Sequence, residues 1–461
     1  MAEFIHWSDK LAQDVIAAHP QKTEFVIASG ITPSGSVHIG NFREFITTYI
    51  VGVALKRAGK KVRMIFSWDD FDRFRKVPAN VSAVVSGYEK YIGTPVCDVP
   101  DPFGKSESYA RHFEKEFEDA LAKMGLNEIP IKYIYQHKEY RSGRYDKAIA
   151  LAVEKRKEIY DIITSFKTQG AEEGERETYY PTQKFGDQLK LVWKVDWPMR
   201  WAAEGIAFEP AGADHMSHGG SHDVAKRISR EIFNNEPPVA QEYGFVGIKG
   251  NAVKISSSKG NAPTPAMILN IYEPQIIRWL FEKYQPRDFF EFGFDDTIAR
   301  HYAEYDKEKN TGAVSFGTLA TVGPLANFDA GIVRKMLGLA KDTDLSRLEK
   351  VKYWLENFCP EKLYKLLEKP NTSFSLNDSE RSLVTKLHDY LKNKTPTEKE
   401  IQEFLYSVIN DPAKDKKANL EAQQRAFKIF YNLLFGRDDG PRLYLYLAVA
   451  PRADILKLLS I

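Results

Sequence analysis

Two strand-like apolar runs, separated by a turn-rich loop and one long helix, constrain this chain more than any other feature. Glu24-Phe25-Val26-Ile27-Ala28 reads as a buried strand, and Gly30-Ile31-Thr32-Pro33-Ser34-Gly35 as the turn that ends it. From about His38 to Gly59 the pattern is helical, and Lys61 to Trp68 reads as a second buried strand. Strand, helix and strand in this order make a βαβ unit. The first half of the chain is thereby directed towards a parallel sheet with helices on its faces.

From about Cys97 to Gln188 the pattern changes to charged amphipathic helices, around Tyr109 to Met124 and Tyr140 to Phe166, and then to the polar stretch KTQGAEEGERETYYPTQKFGDQ. This segment reads as an insertion. Strand and turn signals return near Trp193 and again near Tyr243 to Ile248. After about Asn310 helices take over. Thr395-Pro396-Thr397-Glu398 has a capping residue, a proline at the first helical position and a glutamate two residues later, which fits a capping box. Ile401, Phe404, Leu405, Val408 and Ile409 then share one face, and a further helix runs roughly from Leu420 to Phe435 with Gly436 placed to end it. The expected fold is α/β: a Rossmann-like parallel-sheet domain with a helical insertion, followed by an all-α C-terminal domain.

Composition sets the outer limits. With 461 residues, of which 43% are hydrophobic and 28% charged, the chain has material for several folded domains and too little polar excess for a disordered majority. A net charge of +2 does not by itself indicate a polyanion partner, so nucleic-acid binding requires local basic surfaces. Cys97 and Cys359 lie far apart, which leaves neither a disulfide framework nor a paired-cysteine zinc site. The N-terminal stretch is interrupted by charge before any signal-peptide core, and no apolar run is long enough for a bilayer. A cytoplasmic location is expected, with no membrane partner.

Two motifs carry chemistry. Thr32-Pro33-Ser34-Gly35-Ser36-Val37-His38-Ile39-Gly40-Asn41 lies between a strand and the helix after it. Unpaired N–H groups and a partial positive charge suit such a helix start to phosphate, and glycine lets a ligand approach the backbone. His38 is placed to donate to an ATP phosphate, and Gly40 to leave room for adenine or ribose. The second motif, Lys254-Ile255-Ser256-Ser257-Ser258-Lys259-Gly260-Asn261, is a basic loop of small residues suited to charge that develops as pyrophosphate leaves. Read alone, His38 is as compatible with a structural role, and the lysine loop with a solvated turn.

Together the two motifs resemble the signatures of class I aminoacyl-tRNA synthetases, His-Ile-Gly-His and Lys-Met-Ser-Lys-Ser. Here they read His38-Ile39-Gly40-Asn41 and Lys254-Ile255-Ser256-Ser257-Ser258, so Ser257 takes the place of the second lysine and Lys259 is its obvious substitute. Four further segments narrow the resemblance to the class I lysyl-tRNA synthetases: Ser29 to Gly35, Trp68-Asp69-Asp70-Phe71-Asp72-Arg73-Phe74-Arg75-Lys76-Val77-Pro78, Val195-Asp196-Trp197-Pro198-Met199-Arg200-Trp201, and Phe208 to His215. The likeness continues through Tyr243 to Gly250 and, more loosely, to Gly440-Pro441-Arg442-Leu443. Many members carry a cysteine-rich, zinc-finger-like insert before the Asp-Trp-Pro segment. Here that place is free of cysteine up to Leu189, so no structural zinc is expected.

The resemblance implies ATP-dependent activation of L-lysine and its transfer to the 3′ end of tRNA(Lys), with Mg2+ accompanying ATP. It implies catalytic roles for His38, Asn41, Lys254 and Lys259. ATP is expected against Pro33, Ser34, His38, Gly40, Asn41, Gly212, Asp214, His215, Ser256, Ser258 and Lys259, and lysine against Gly30, Thr32, Asp70, Trp197 and Tyr243. Trp197 and Tyr243 have an alternative reading as core, and the run Asp69-Asp70-Phe71-Asp72 as a structural network with Arg73, Arg75 and Lys76. The domains follow: 1–96 and 189–270 as the two halves of the catalytic domain, 97–188 as the connective insertion, 271–310 as a stem-contact region and 311–461 as the anticodon-binding domain. Its aromatic residues Phe427, Phe430, Tyr431 and Phe435 read as core, and a monomer is favoured. Three other activities are compatible with parts of this pattern: a class I synthetase for another amino acid, a non-catalytic tRNA-binding paralogue, and a small-molecule nucleotidyltransferase.

Overall fold

The computed structural model describes residues 6–166, 174–244, 246–249 and 263–460. They form two units, one of residues 1–269 with 274–292, the other of 270–273 with 293–461.

In the first unit, helix α1 (Trp7–Ala18) precedes β1 (Glu24–Ile31), α2 (Ile39–Arg57) and β2 (Lys61–Trp68). β1 and β2 pair in parallel from Glu24 opposite Lys61 to Ile31 opposite Trp68, so the expected βαβ unit is present. α2 is buried around nearly its whole circumference, as befits a helix that is apolar on every side. Its Gly52 marks how closely it lies on the sheet, since a Cβ there would sit 2.5 Å from the side chains of Ile27 and Ile129. Phe42 and Phe45 of α2 meet Phe117 of α3 (Tyr109–Lys123) edge-on. Each such fully buried ring contributes about 1.5–3 kcal/mol of apolar burial.

The sheet is completed by β3 (Ile131–Tyr135), parallel to β2, and by a strand reached much later in the chain. The segment read as a helical insertion from residue 97 therefore also supplies a sheet strand, after α3. Ile131-Lys132-Tyr133-Ile134-Tyr135 is only five residues long and half-buried at the sheet edge, which gives it a weak periodic signal. The short helices α4 (Gln136–Arg141), α5 (Asp146–Glu154) and α6 (Arg156–Thr164) follow, then a single helical turn at Glu175–Thr178 and a hairpin of β4 (Thr182–Phe185) and β5 (Gln188–Leu191). The strand signal near Trp193 is instead a helix, α7 (Trp193–Glu204), which carries Pro198 inside it. Trp193, Trp197 and Trp201 fall at helical spacing and form a ladder with ring centroids 5.0 and 5.1 Å apart. β6 (Ile206–Phe208) then pairs with β1, giving the order β3-β2-β1-β6.

Beyond it, β7 (Ala211–Gly212) pairs in parallel with β8 (Glu242–Tyr243), with α8 (Ser221–Glu231) between them. β9 (Val246–Ile248) pairs in parallel with β10 (Phe290–Phe292), and α9 (Pro274–Lys283) lies between those two.

Among the described residues, every regular element of the second unit is a helix. Within it Arg347 is buried against Glu273 at 3.1 Å and Asp306 at 2.6 Å. The capping box expected near Thr395 is formed by Thr397 with Glu400, two residues further on, and starts α10 (Glu398–Ile409). Glu398 is thus the first helical residue, and the reciprocal partner is the glutamate three residues after the cap. Ile401 and Leu405 of α10 are fully buried. α11 (Lys416–Phe435) ends at Gly436 in the left-handed conformation, φ 70°. Ile429, Phe430 and Leu433 of α11 pack into the same core as Leu387 and Tyr446.

Candidate active site

β1 ends at Gly30 and Ile31, β2 at Trp68, and α2 begins beside both. A cavity of about 460 Å³ opens there, at the carboxyl end of the parallel strands where open α/β sheets bind ligands.

One wall is the start of α2. His38 is its N-cap residue, and Nδ1 accepts from the backbone N–H of Asn41 at 3.2 Å. A nitrogen that accepts carries the lone pair, so the neutral ring holds its proton on Nε2. Gly40 is required by this arrangement, because a Cβ there would lie 2.9 Å from Cε1 and Nδ1 of His38. The glycine leaves room for the imidazole as well as lining the cavity.

Glu44, one turn further along α2, lines the same cavity. It accepts from the backbone N–H of Gly30 at 3.0 Å and from the Tyr243 hydroxyl at 2.7 Å. Burial pushes its carboxyl up to about 8, and those two hydrogen bonds offset only part of the shift. Among the described residues no cation forms an ion pair with it, so the site holds a carboxylate prepared for a positive ligand.

Asp69 and Asp72 make up a third side, held from behind by a buried ionic network. Arg200 reaches Asp69 at 2.5 Å and Asp196 at 3.3 Å. Lys190 bridges Asp72 at 2.9 Å and Asp196 at 3.0 Å, and the Tyr140 hydroxyl donates to Asp196 at 2.5 Å. Burial disfavours the Asp196 anion, but Arg200 and Lys190 outweigh it and its pKa is lowered. Burial also opposes charge on Lys190, and Asp196 with Asp72 reverse this and raise it. Burial raises Asp69 against the opposing pull of Arg200. Thr32 donates to Asp72 at 3.4 Å, which carries the network to the cavity wall.

The remaining side comes from the later strands. Gly212 and Tyr243 reach the cavity from β7 and β8, and Asp214 and His215 from the single helical turn Ala213–Met216 that follows β7. His215 shares a hydrogen bond of 2.8 Å with Ser221, and its ring lies beside Trp193 and Trp197.

The structure thus brings together Gly30, Thr32, Ser34, His38, Gly40 and Asn41 from the first half of the chain with Gly212, Asp214, His215 and Tyr243 from the second. It does not bring Pro33, Asp70 or Trp197 to the wall. Asp70 is fully buried, with its carboxylate against the ring and backbone N–H of His137, because successive residues leaving a strand face opposite ways. Trp197 stands behind Trp193 and donates to Glu209 at 3.0 Å, in keeping with its alternative reading as core. Lys254, Ser256, Ser258 and Lys259 lie outside the described residues.

The acidic run does form a network, but not with Arg73, Arg75 and Lys76. Its partners are Arg200, His137 and Lys190, all distant in sequence. The sequence reading missed Glu44, Asp72, Arg75 and Trp193 as cavity residues. A signal existed for Glu44: an ionisable residue inside a helix that is apolar all round has to be paired or functional.

Comparison with known proteins decides between the families open to such a site. The family model described as tRNA synthetases class I (K) matches residues 5–188 and 173–315. The chain belongs to the class I lysyl-tRNA synthetases. Among its relatives in this family, the lysine–tRNA ligase of Thermococcus kodakarensis is 33% identical, over 99% of this chain and 99% of its own length. The lysine–tRNA ligases of Pyrococcus horikoshii and Treponema pallidum are each 31% identical, over 99% of this chain and 99% and 98% of theirs. The alignment with the P. horikoshii protein runs over 533 positions against 461 residues here, so that synthetase carries segments this one lacks.

Among the described residues of this synthetase no group of three or more His, Cys, Asp or Glu side chains suits a metal ion. The place where many members carry a zinc-finger-like insert ends in the β4–β5 hairpin, whose Phe185 packs on Phe71 and whose Lys190 enters the network. No described helix is long and apolar enough to cross a membrane.

Proposed function

We infer that this chain is a lysine–tRNA ligase, acting in the cytoplasm as a monomer. It activates L-lysine with ATP and transfers the lysyl group to the 3′ end of tRNA(Lys). The observation that carries this is Glu44: a half-buried carboxyl group held by Gly30 and Tyr243 in the same cavity as the His38 helix start. Lysine brings two ammonium groups where a neutral amino acid brings one. Asp69 and Asp72 are paired from behind by Arg200 and Lys190, and Glu44, which no described cation pairs, is the wall carboxyl placed for the second ammonium.

In the first step the lysine carboxylate attacks the α-phosphorus of ATP, a carboxylate–phosphate anhydride forms, and pyrophosphate leaves. In the second, the 2′-hydroxyl of the terminal adenosine attacks the carbonyl carbon, AMP leaves with the bonding electrons, and the hydroxyl proton passes to the departing phosphate. Neither step needs a protein nucleophile, so catalysis is positioning plus stabilisation of negative charge. His38 donates Nε2–H to phosphate oxygen, Asn41 donates from its amide, and Lys254 and Lys259 receive the departing pyrophosphate. Gly30, Thr32, Glu44 and Tyr243 hold the amino acid, with Trp193 as the aromatic wall. Gly212, Asp214 and His215 border the nucleotide. Magnesium would accompany ATP, brought in on its phosphates, and would offset their negative charge. The helical unit reads the anticodon.

The test is ATP–pyrophosphate exchange with each of twenty amino acids, with and without total tRNA. Exchange with lysine alone among the twenty, and only when tRNA is present, is expected. Exchange supported best by another amino acid overturns the substrate, and none at all with any amino acid and tRNA overturns the activity.

A further inference from the structure

Arg75 lines the cavity and is exposed at its mouth. It is the sole lysine or arginine among the described lining residues, which include four carboxylates. The loop it stands on is acidic, and a guanidinium beside three aspartates ordinarily pairs with one of them. Here each aspartate is taken by a residue from elsewhere: Asp69 by the Arg200 cation, Asp72 by the Lys190 cation, and Asp70 by the ring and backbone N–H of His137. Both cations are almost wholly buried, Lys190 at 1% and Arg200 with its side chain at 11%. Among the described residues Arg75 has no ion pair, hydrogen bond or ring partner, while its neighbour Arg73 lies over the ring of Phe185.

An arginine with no internal partner on the rim of an acid-rich cavity has one use that its surroundings do not already fill. Glu44, held only by the Gly30 N–H and the Tyr243 hydroxyl, meets a cationic ligand. A planar fork of N–H donors meets a phosphate. We propose that Arg75 is a phosphate-binding residue of the reaction, taking either the triphosphate of ATP or the terminal phosphodiester of tRNA at the mouth of the cavity. This rests on the synthetase reading for its ligands, not for its geometry.

The experiment compares R75A, R75K and the control K76A, whose exposed lysine lies outside the cavity wall, in the full-length chain. Direct binding of ATP and of a tRNA(Lys) transcript is measured beside KM values for ATP, tRNA and lysine. R75A is expected to weaken one phosphate ligand by about 10-fold or more, the range for a hydrogen bond to a charged group. R75K should recover part of it, and K76A and the melting temperature should not move. Loss confined to ATP assigns the triphosphate, and loss confined to tRNA assigns the phosphodiester. Unchanged binding of both, or a rise in lysine KM alone, overturns the proposal. An equal loss in all three, together with a lower melting temperature, assigns Arg75 a structural role and overturns it too. If the wild type charges no tRNA, the synthetase reading falls, and the binding measurements still decide Arg75.

Discussion

Lys190 and Asp72 meet across 2.9 Å in the protein interior, although more than a hundred residues separate them in sequence. Lys190 comes from the hairpin behind the cavity, and Asp72 is part of the cavity wall itself. The same ammonium group touches Asp196, which Arg200 also holds. Removing one partner of such a network leaves a buried charge uncompensated.

K190M is therefore expected to cost about 3 kcal/mol of stability. It should also lower turnover, because Asp72 and its partner Thr32 lose their anchor. Urea unfolding with parallel aminoacylation checks both. A loss below about 1 kcal/mol would mean that solvent or Arg200 replaces the missing charge.

Glu44 links lysine binding to pH. Its carboxyl stands near 8 in the unliganded cavity, so at neutral pH it is largely protonated. An ammonium ligand needs the anion, and binding must release a proton. Lysine affinity should rise with pH up to about 8, by at most tenfold per unit, and then level off. Calorimetry at pH 7 in two buffers of different ionisation heat reads the proton directly, and E44Q should abolish its release. A proton count of zero in the wild type would sink the assignment.

The same shift has a stability counterpart of fixed sign. A carboxyl raised from 4.5 to about 8 favours the folded state fully below the lower value, and that contribution is lost as pH rises through the higher one. Without ligand, the wild type should lose stability relative to E44Q between these limits. Melting temperatures of both proteins at pH 5 and pH 9 check it.

His38 both caps α2 and presents a donor, and the two roles can be separated. H38N keeps a capping side chain while losing the imidazole, so stability should fall by well under 1 kcal/mol while turnover drops about 100-fold or more. Thermal melts with steady-state kinetics test this, and unchanged turnover would remove His38 from the chemistry.

Gly40 should show the opposite of ordinary helix behaviour. Alanine is favoured over glycine in a helix by up to about 1 kcal/mol. Its Cβ, however, would lie 2.9 Å from the His38 ring and displace it. G40A is expected to hold or raise the melting temperature and to lower kcat. An active and more stable variant would show that the ring position is not critical.

The βαβ unit could be read from sequence because β1 and β2 are continuous apolar runs buried on both faces, and because the turn between β1 and α2 is written in glycine, proline and serine. The helix start at His38 was legible for the same reason. What escaped were features set by side-chain direction and distant pairing. Asp69, Asp70 and Asp72 look alike in a string, yet Asp70 turns to His137 while the other two face the cavity. Trp193 and Trp197 differ only by one helical turn, and it is Trp193 that reaches the wall. The partners of the acidic run, Lys190 and Arg200, arrive from beyond the hairpin, and no local pattern announces them.

The tryptophan ladder gives this cavity its own optical reporter. Trp193 is at once a cavity wall and the first of three indoles in close contact, with the ring of Trp197 nearly parallel to it at 16°. A molecule entering beside Trp193 changes the polarity felt by one chromophore and the coupling among all three. Occupancy is thereby written into near-ultraviolet emission and dichroism, with no label attached.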